Sequence, residues 1–158
     1  MSCPFKNIYN LAKVVINSYK IEALKNYDED AFYEYMRSLL TLGISEFKGS
    51  LVSLDYYSNL EIDSSGNSKT IYYFTNDLSL DEQNILAKTI VLKWWEGEIQ
   101  TTTAYQPKLS FREFKQLATE QNLKQKSEYK DKLCEDISRS ITEYQLSNID
   151  KLPFFGGG

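Results

Sequence analysis

Histidine is absent from this chain. That removes the commonest general base, the usual serine and cysteine triads, and most zinc sites. Glycine is scarce, with seven residues in 158, and its one dense run, Gly156–Gly158, opens no helix. A glycine-rich phosphate loop is therefore not on offer. The two cysteines, Cys3 and Cys134, are too few for a disulfide framework, and a reduced, intracellular setting is expected. A basic excess is missing too: 18 Lys and Arg against 22 Asp and Glu leave a net charge of -4, which argues against a general nucleic-acid binder. No apolar run approaches the roughly 20 residues of a membrane span. The first residues lack the basic-then-apolar layout of a secretory signal, so synthesis and assembly in a cytoplasm are expected.

The residues that remain assemble no reactive site by pattern. "DSSGNS" superficially resembles a calcium loop, but glycine falls fourth from Asp63 and the twelfth position is Phe74, where an EF-hand needs glycine sixth and glutamate twelfth. A turn is the simpler reading. Asp28, Glu29 and Asp30 suit the start of a helix better than a metal. Cys134 has no visible partner base and reads as a small core residue. No catalytic, cofactor-binding or metal-ligating residue is assigned, and an enzyme is not expected.

What the chain has in quantity is tyrosine, twelve residues, a side chain suited to surfaces that are wet alone and buried on assembly. Helical periodicity is also plentiful. Phe5, Ile8, Leu11, Ala12, Val15, Ile16 and Tyr19 predict an amphipathic helix over about 5–20. "YDEDAFYEYMRSLLTLGISEFKG" predicts a second helix, with Phe32, Tyr35, Met36, Leu39, Leu40, Gly43 and Phe47 along one stripe. Asp28 is its expected cap and Gly49 its expected stop. "SLVSLDYYSNLEIDSSGNSKTIYYFTN" turns β-branched and aromatic. It predicts a hairpin, roughly 58–62 and 70–75, around Gly66, with a further strand at 51–57.

"SLDEQNILAKTIVLKWWEGEI" restores helix, with Ser79 and Glu82 as a capping box. Ile85, Leu86, Ile90, Val91, Leu92, Trp94 and Trp95 spread around most of this helix, so it needs cover on more than one side. A second subunit is one source of that cover. Trp94 aligns with Ile90 and suits the core. Trp95 aligns with Val91 and Lys88 and suits a subunit interface, anchored by its ring. The phase alone leaves open that both rings share one monomer's core. "GEIQTTTAYQPK" reads as a loop or a turn-rich crossing, since Pro107 opposes unbroken helix. A second capping box, Ser110 with Glu113, opens a long helix to about Tyr144, with Tyr129, Leu133, Ile137, Ile141 and Tyr144 on one side. The fold class expected is mainly α: a helical bundle with an inserted β-hairpin and a long C-terminal helix. One domain would occupy 1–151, followed by an extended arm at 152–158, where Leu152, Pro153, Phe154 and Phe155 form an exposed apolar segment.

The order of these elements resembles the neck proteins of tailed bacteriophages, the head–tail connector or adaptor proteins bound below the portal, those of the crAss-like phage type among them. In that family a "D/E-E-x-x-x-L-A" helix ends in an aromatic near an isoleucine. An "F-x-x-F-x-x-A-x-x-N-L" segment then opens a long charged helix. Glu82, Leu86, Ala87, Trp94, Trp95 and Ile99 fit the first part; Phe111, Phe114, Ala118, Asn122 and Leu123 fit the second. The likeness covers about 28–146, and its motifs are degenerate apolar spacings. It implies a structural virion protein in a homomeric ring, twelve-fold by analogy, between the portal and the next neck or tail ring. Genomic DNA would pass through the ring without sequence-specific binding, as an acidic balance favours. The arm at Leu152, Pro153, Phe154 and Phe155 would dock on the neighbouring ring, although an ordinary loose chain end is the alternative. The rival function is a small soluble helical binding or regulatory module acting as a dimer.

Overall fold

A computed structural model describes residues 2–16, 19–62, 66–105 and 113–152. It is mainly helical, with one antiparallel two-stranded hairpin between helices: α1 (Phe5–Ile16), α2 (Tyr19–Tyr27), α3 (Glu29–Ile44), β1 (Tyr56–Ile62), β2 (Ser68–Phe74), α4 (Leu80–Tyr105) and α5 (Glu113–Ser147). A single 3-10 turn, Ile149–Lys151, follows α5. The fold class is the one expected from the sequence. The segment 153–158 lies outside the described residues, and so does Ser110 of the second capping box.

Several boundaries differ from the sequence reading. The helix expected over 5–20 stops at Ile16, and a separate helix, α2, runs from Tyr19 to Tyr27. Ile21 is buried and Leu24 half-buried, and Lys13 of α1 pairs with Glu22 of α2 at 2.8 Å. Ile21, Ala23 and Leu24, the aliphatic residues among its nine, give too weak a period to reveal α2 beforehand. In α3, Asp28 caps as expected, its carboxylate accepting from Ala31 N–H at 2.9 Å. The stop is not Gly49, however: α3 ends at Ile44, and Gly49 serves a later turn at φ 85°. Phe47 is buried beyond the helix end, which explains why the apolar stripe ran past it.

No strand forms over 51–55; Tyr56 and Tyr57 belong to β1 itself. Ser53 accepts local bonds from Asp55 N–H and the Asn76 amide, an alternative to pairing, while Asp55 O still accepts from Thr75 N–H at 2.8 Å. The expected loop at 97–108 is helix as far as Tyr105. Thr101, Thr102 and Thr103 each donate a hydroxyl back to the carbonyl four residues earlier, and Lys126 of α5 reaches Thr102 at 3.0 Å.

α4 is the axis of the core. It packs against α1, α3 and α5, and Ile85, Leu86, Ala87, Ile90, Val91, Leu92 and Trp94 are all buried. The cover that its circumference demands is thus supplied within the chain, so α4 gives no reason to invoke a second subunit. α3 and α4 come close at Gly43, where a Cβ would lie 2.5 Å from Thr89 Oγ1 on α4. Glycine is required there by proximity.

The capping box at the head of α4 forms and extends further than expected. Glu82 accepts from Ser79 N–H at 2.7 Å and from Ser79 Oγ at 2.9 Å, and its other oxygen accepts from Tyr144 Oη at 2.5 Å. Tyr144 in turn accepts from Leu51 N–H, and its ring meets Phe47 edge-on. One buried carboxylate thereby joins the start of α4, the end of α5 and the loop after α3.

Candidate interaction surface

The hairpin is anchored at one end. Phe5 of α1 packs against Phe74, Tyr56 and Tyr72 with ring centroids 4.6, 5.2 and 5.9 Å away. Arg37 of α3 lies over the Tyr72 ring and donates to its hydroxyl at 3.0 Å. In an antiparallel pair, alternate residues share a face. The register sets Tyr56, Ser58, Leu60 and Ile62 on the same face as Tyr72 and Phe74. Near the base that face is covered by Phe5. Toward the tip it is not: Leu60 is 68% and Ile62 77% exposed. The opposite face carries the Tyr57–Tyr73 stack, and Tyr73 donates to Glu61.

The two edges of this ribbon are unlike. Pro4 bridges to Tyr73, and Phe74 donates its N–H to Cys3 O at 2.8 Å, so the N-terminal segment covers the Tyr73–Phe74 end of the outer edge of β2. Because Phe74 N–H points away from β1, Tyr56 and Phe74 are a non-hydrogen-bonded pair. The alternation of the antiparallel ladder then turns the backbone N–H and C=O of Tyr56, Ser58, Leu60 and Ile62 outward. All seven residues of β1 are exposed. Among the described residues no strand borders its outer edge. The edge lacks the usual defences against a partner strand: no lysine, no proline, and one charge, Glu61, already engaged by Tyr73.

The expected interface trio is dispersed by depth. Val91 is 1% exposed and has no surface to offer a second subunit. Lys88 is spent inside the chain, on Asp136 at 2.7 Å and Ser140 at 2.8 Å. Trp95 is half-buried, its ring 4.8 Å from Trp94 and 5.0 Å from Tyr129 of α5. Trp94 is buried, as its phase implied. Of the arm, Leu152 alone is described: it is half-buried and extended (φ -73°, ψ 134°), while Pro153, Phe154 and Phe155 lie outside the described residues.

For chemistry the molecule offers little. Burial pushes both thiols up, Cys3 inside the core and Cys134 half-buried on α5, which keeps them protonated and weakly nucleophilic. Among the described residues no group of three Cys, Asp or Glu could hold a metal ion, and no helix is long and apolar enough to cross a membrane. The β1 edge was missed as a site in the sequence. Its signal was the alternation Tyr56, Ser58, Leu60, Ile62, which reads as an ordinary half-buried strand until the covering helices are seen to fall short. No family model, curated protein or solved structure matches the chain.

Proposed function

We propose that this chain is a structural virion protein: a subunit of a homomeric connector ring between the portal and tail of a tailed phage. One observation carries the reading. The β1 edge presents outward backbone groups together with uncovered Leu60 and Ile62, a surface built for another chain rather than for a small substrate. The resemblance in element order and helix motifs gives that other chain its context. The net charge of -4 suits a ring through which DNA slides without adhering. Portal protein and the next neck or tail ring are the proposed neighbours. Mass spectrometry of purified virions tests this: stoichiometric presence supports the ring, and absence sinks it.

The same edge also favours a second reading, a soluble binding module that dimerises by pairing β1 with β1. That reading requires a stable dimer in solution and no association with particles.

A further inference from the structure

We infer that the β1 edge receives residues 152–156 of a neighbouring copy as a third strand. The inference rests on the ring reading for its geometry, but its chemistry comes from the two surfaces themselves.

The receiving side is defined by Ser58, Leu60 and Ile62, whose backbone groups face outward and whose latter two side chains are uncovered. The entering side begins at Leu152, which leaves the 3-10 turn already extended. Pro153 keeps it so, because a residue before proline is held in the β or polyproline region.

Phase then decides the fit. The Leu152 N–H is already donated to Ile149 O at 3.1 Å, which leaves its carbonyl for β1; if that carbonyl and the Phe154 backbone face β1, Pro153 turns away, and its missing N–H costs no ladder bond. With the arm antiparallel to β1, residues whose backbones bond to one another lie directly opposite and place their side chains on one face. Leu152 and Phe154 therefore fall on the face where Leu60 and Ile62 are bare. Phe155 falls on the other face, beside the Tyr57–Tyr73 stack. The opposite phase would aim proline at the ladder and leave Leu60 and Ile62 facing Pro153 and Phe155.

Charge agrees with this pairing: residues 152–158 carry no charged side chain, and the single charge of β1 is already hydrogen-bonded to Tyr73. Symmetry agrees as well. An arm on one copy and an edge on the next are two different surfaces, and such a heterologous contact is the kind a ring requires, closing where the rotation between copies closes. Pro4 and Cys3 already occupy the Tyr73–Phe74 end of β2, so less of that edge is open to an arm.

A complementation experiment tests the pairing. Deleting 153–158 leaves an edge without an arm. Leu60→Pro leaves an arm without an edge, since the N–H it removes points outward and the β1–β2 ladder is untouched. Ile62→Lys is the backup edge variant should Leu60→Pro fail to melt like the parent. In sedimentation velocity each variant alone should be monomeric, and a mixture of the two should form one heterodimer. A fluorescent peptide of residues 151–158 should bind the deletion variant saturably, and Leu60→Pro in that background should weaken it by about tenfold or more. Peptide binding that ignores Leu60→Pro, or no binding at all, overturns the inference. So does a dimer that survives the deletion but not Leu60→Pro, which would mean β1 pairs with β1. A full-length chain that stays monomeric while its own edge is protected from amide exchange would place the arm in its own edge. Absence from virions would remove the ring reading while leaving the peptide result intact, so the two failures are distinguishable.

Discussion

Replacing Tyr144 with phenylalanine removes a single oxygen and tests the junction that holds the two longest helices to the rest of the fold. The ring is retained, so its edge contact with Phe47 at 5.5 Å survives. What disappears is the donor to Glu82 and the acceptor for Leu51 N–H at 3.2 Å. Glu82 is 4% exposed and keeps both bonds from Ser79 on one oxygen, while its other oxygen loses its partner. A hydrogen bond to a charged group contributes about 1.5–3 kcal/mol. At about 2–4 °C per kcal/mol for a chain of this size, the melting temperature should fall by about 3–12 °C.

The pH dependence gives a second signature. Burial, then the bond to Glu82, pushes the Tyr144 hydroxyl up from 10.0 to about 12. A group raised on folding stabilises fully below its unfolded value and loses that contribution as pH rises through its folded one. The stability difference between parent and Tyr144→Phe should therefore be constant at neutral pH and shrink as pH climbs from 10 toward 12. Urea melts across that range measure it. A loss below about 0.5 kcal/mol at pH 7 would refute the view that this junction is a stabilising hub.

Other substitutions probe the core and the arm. Gly43→Ala should cost about 1–3 kcal/mol in denaturant melts, because the new methyl meets Thr89 Oγ1 at 2.5 Å; a neutral outcome would mean that α3 and α4 separate freely. Trp94→Ala should destabilise by about 3–5 kcal/mol and Trp95→Ala by less, since Trp95 is only half-buried; equal losses would contradict that ordering. Deleting 153–158 should leave the melting temperature nearly unchanged, because the described core closes without that segment; calorimetry of full-length and shortened chains would show otherwise.

Periodicity made α3, α4 and most of α5 legible, because each buries residues at helical spacing over many turns. Asp28 and the Ser79–Glu82 box were legible for a different reason: capping is a local bargain between a side chain and the nearest free N–H groups. The failures were tertiary. α2 holds together through Ile21 and an ion pair to α1, neither of which has a period. α4 outlasted its expected end because threonine hydroxyls and a lysine from α5 support a polar final stretch. The all-round apolarity of α4 was read correctly as a demand for cover, but how much of that cover the same chain supplies depends on how α1, α3 and α5 close around it. The candidate site was least legible of all. Leu60 and Ile62 look like any strand interior, and only the reach of α1 and the position of Cys3 and Pro4 reveal which edge stays open.

The ring itself is the central claim, and electron microscopy of portal complexes incubated with this chain tests it most directly. An added ring of density seated on the portal, lost when 153–158 is deleted or Leu60→Pro is introduced, is the expected result. Portal complexes that remain bare while the chain stays monomeric would contradict it.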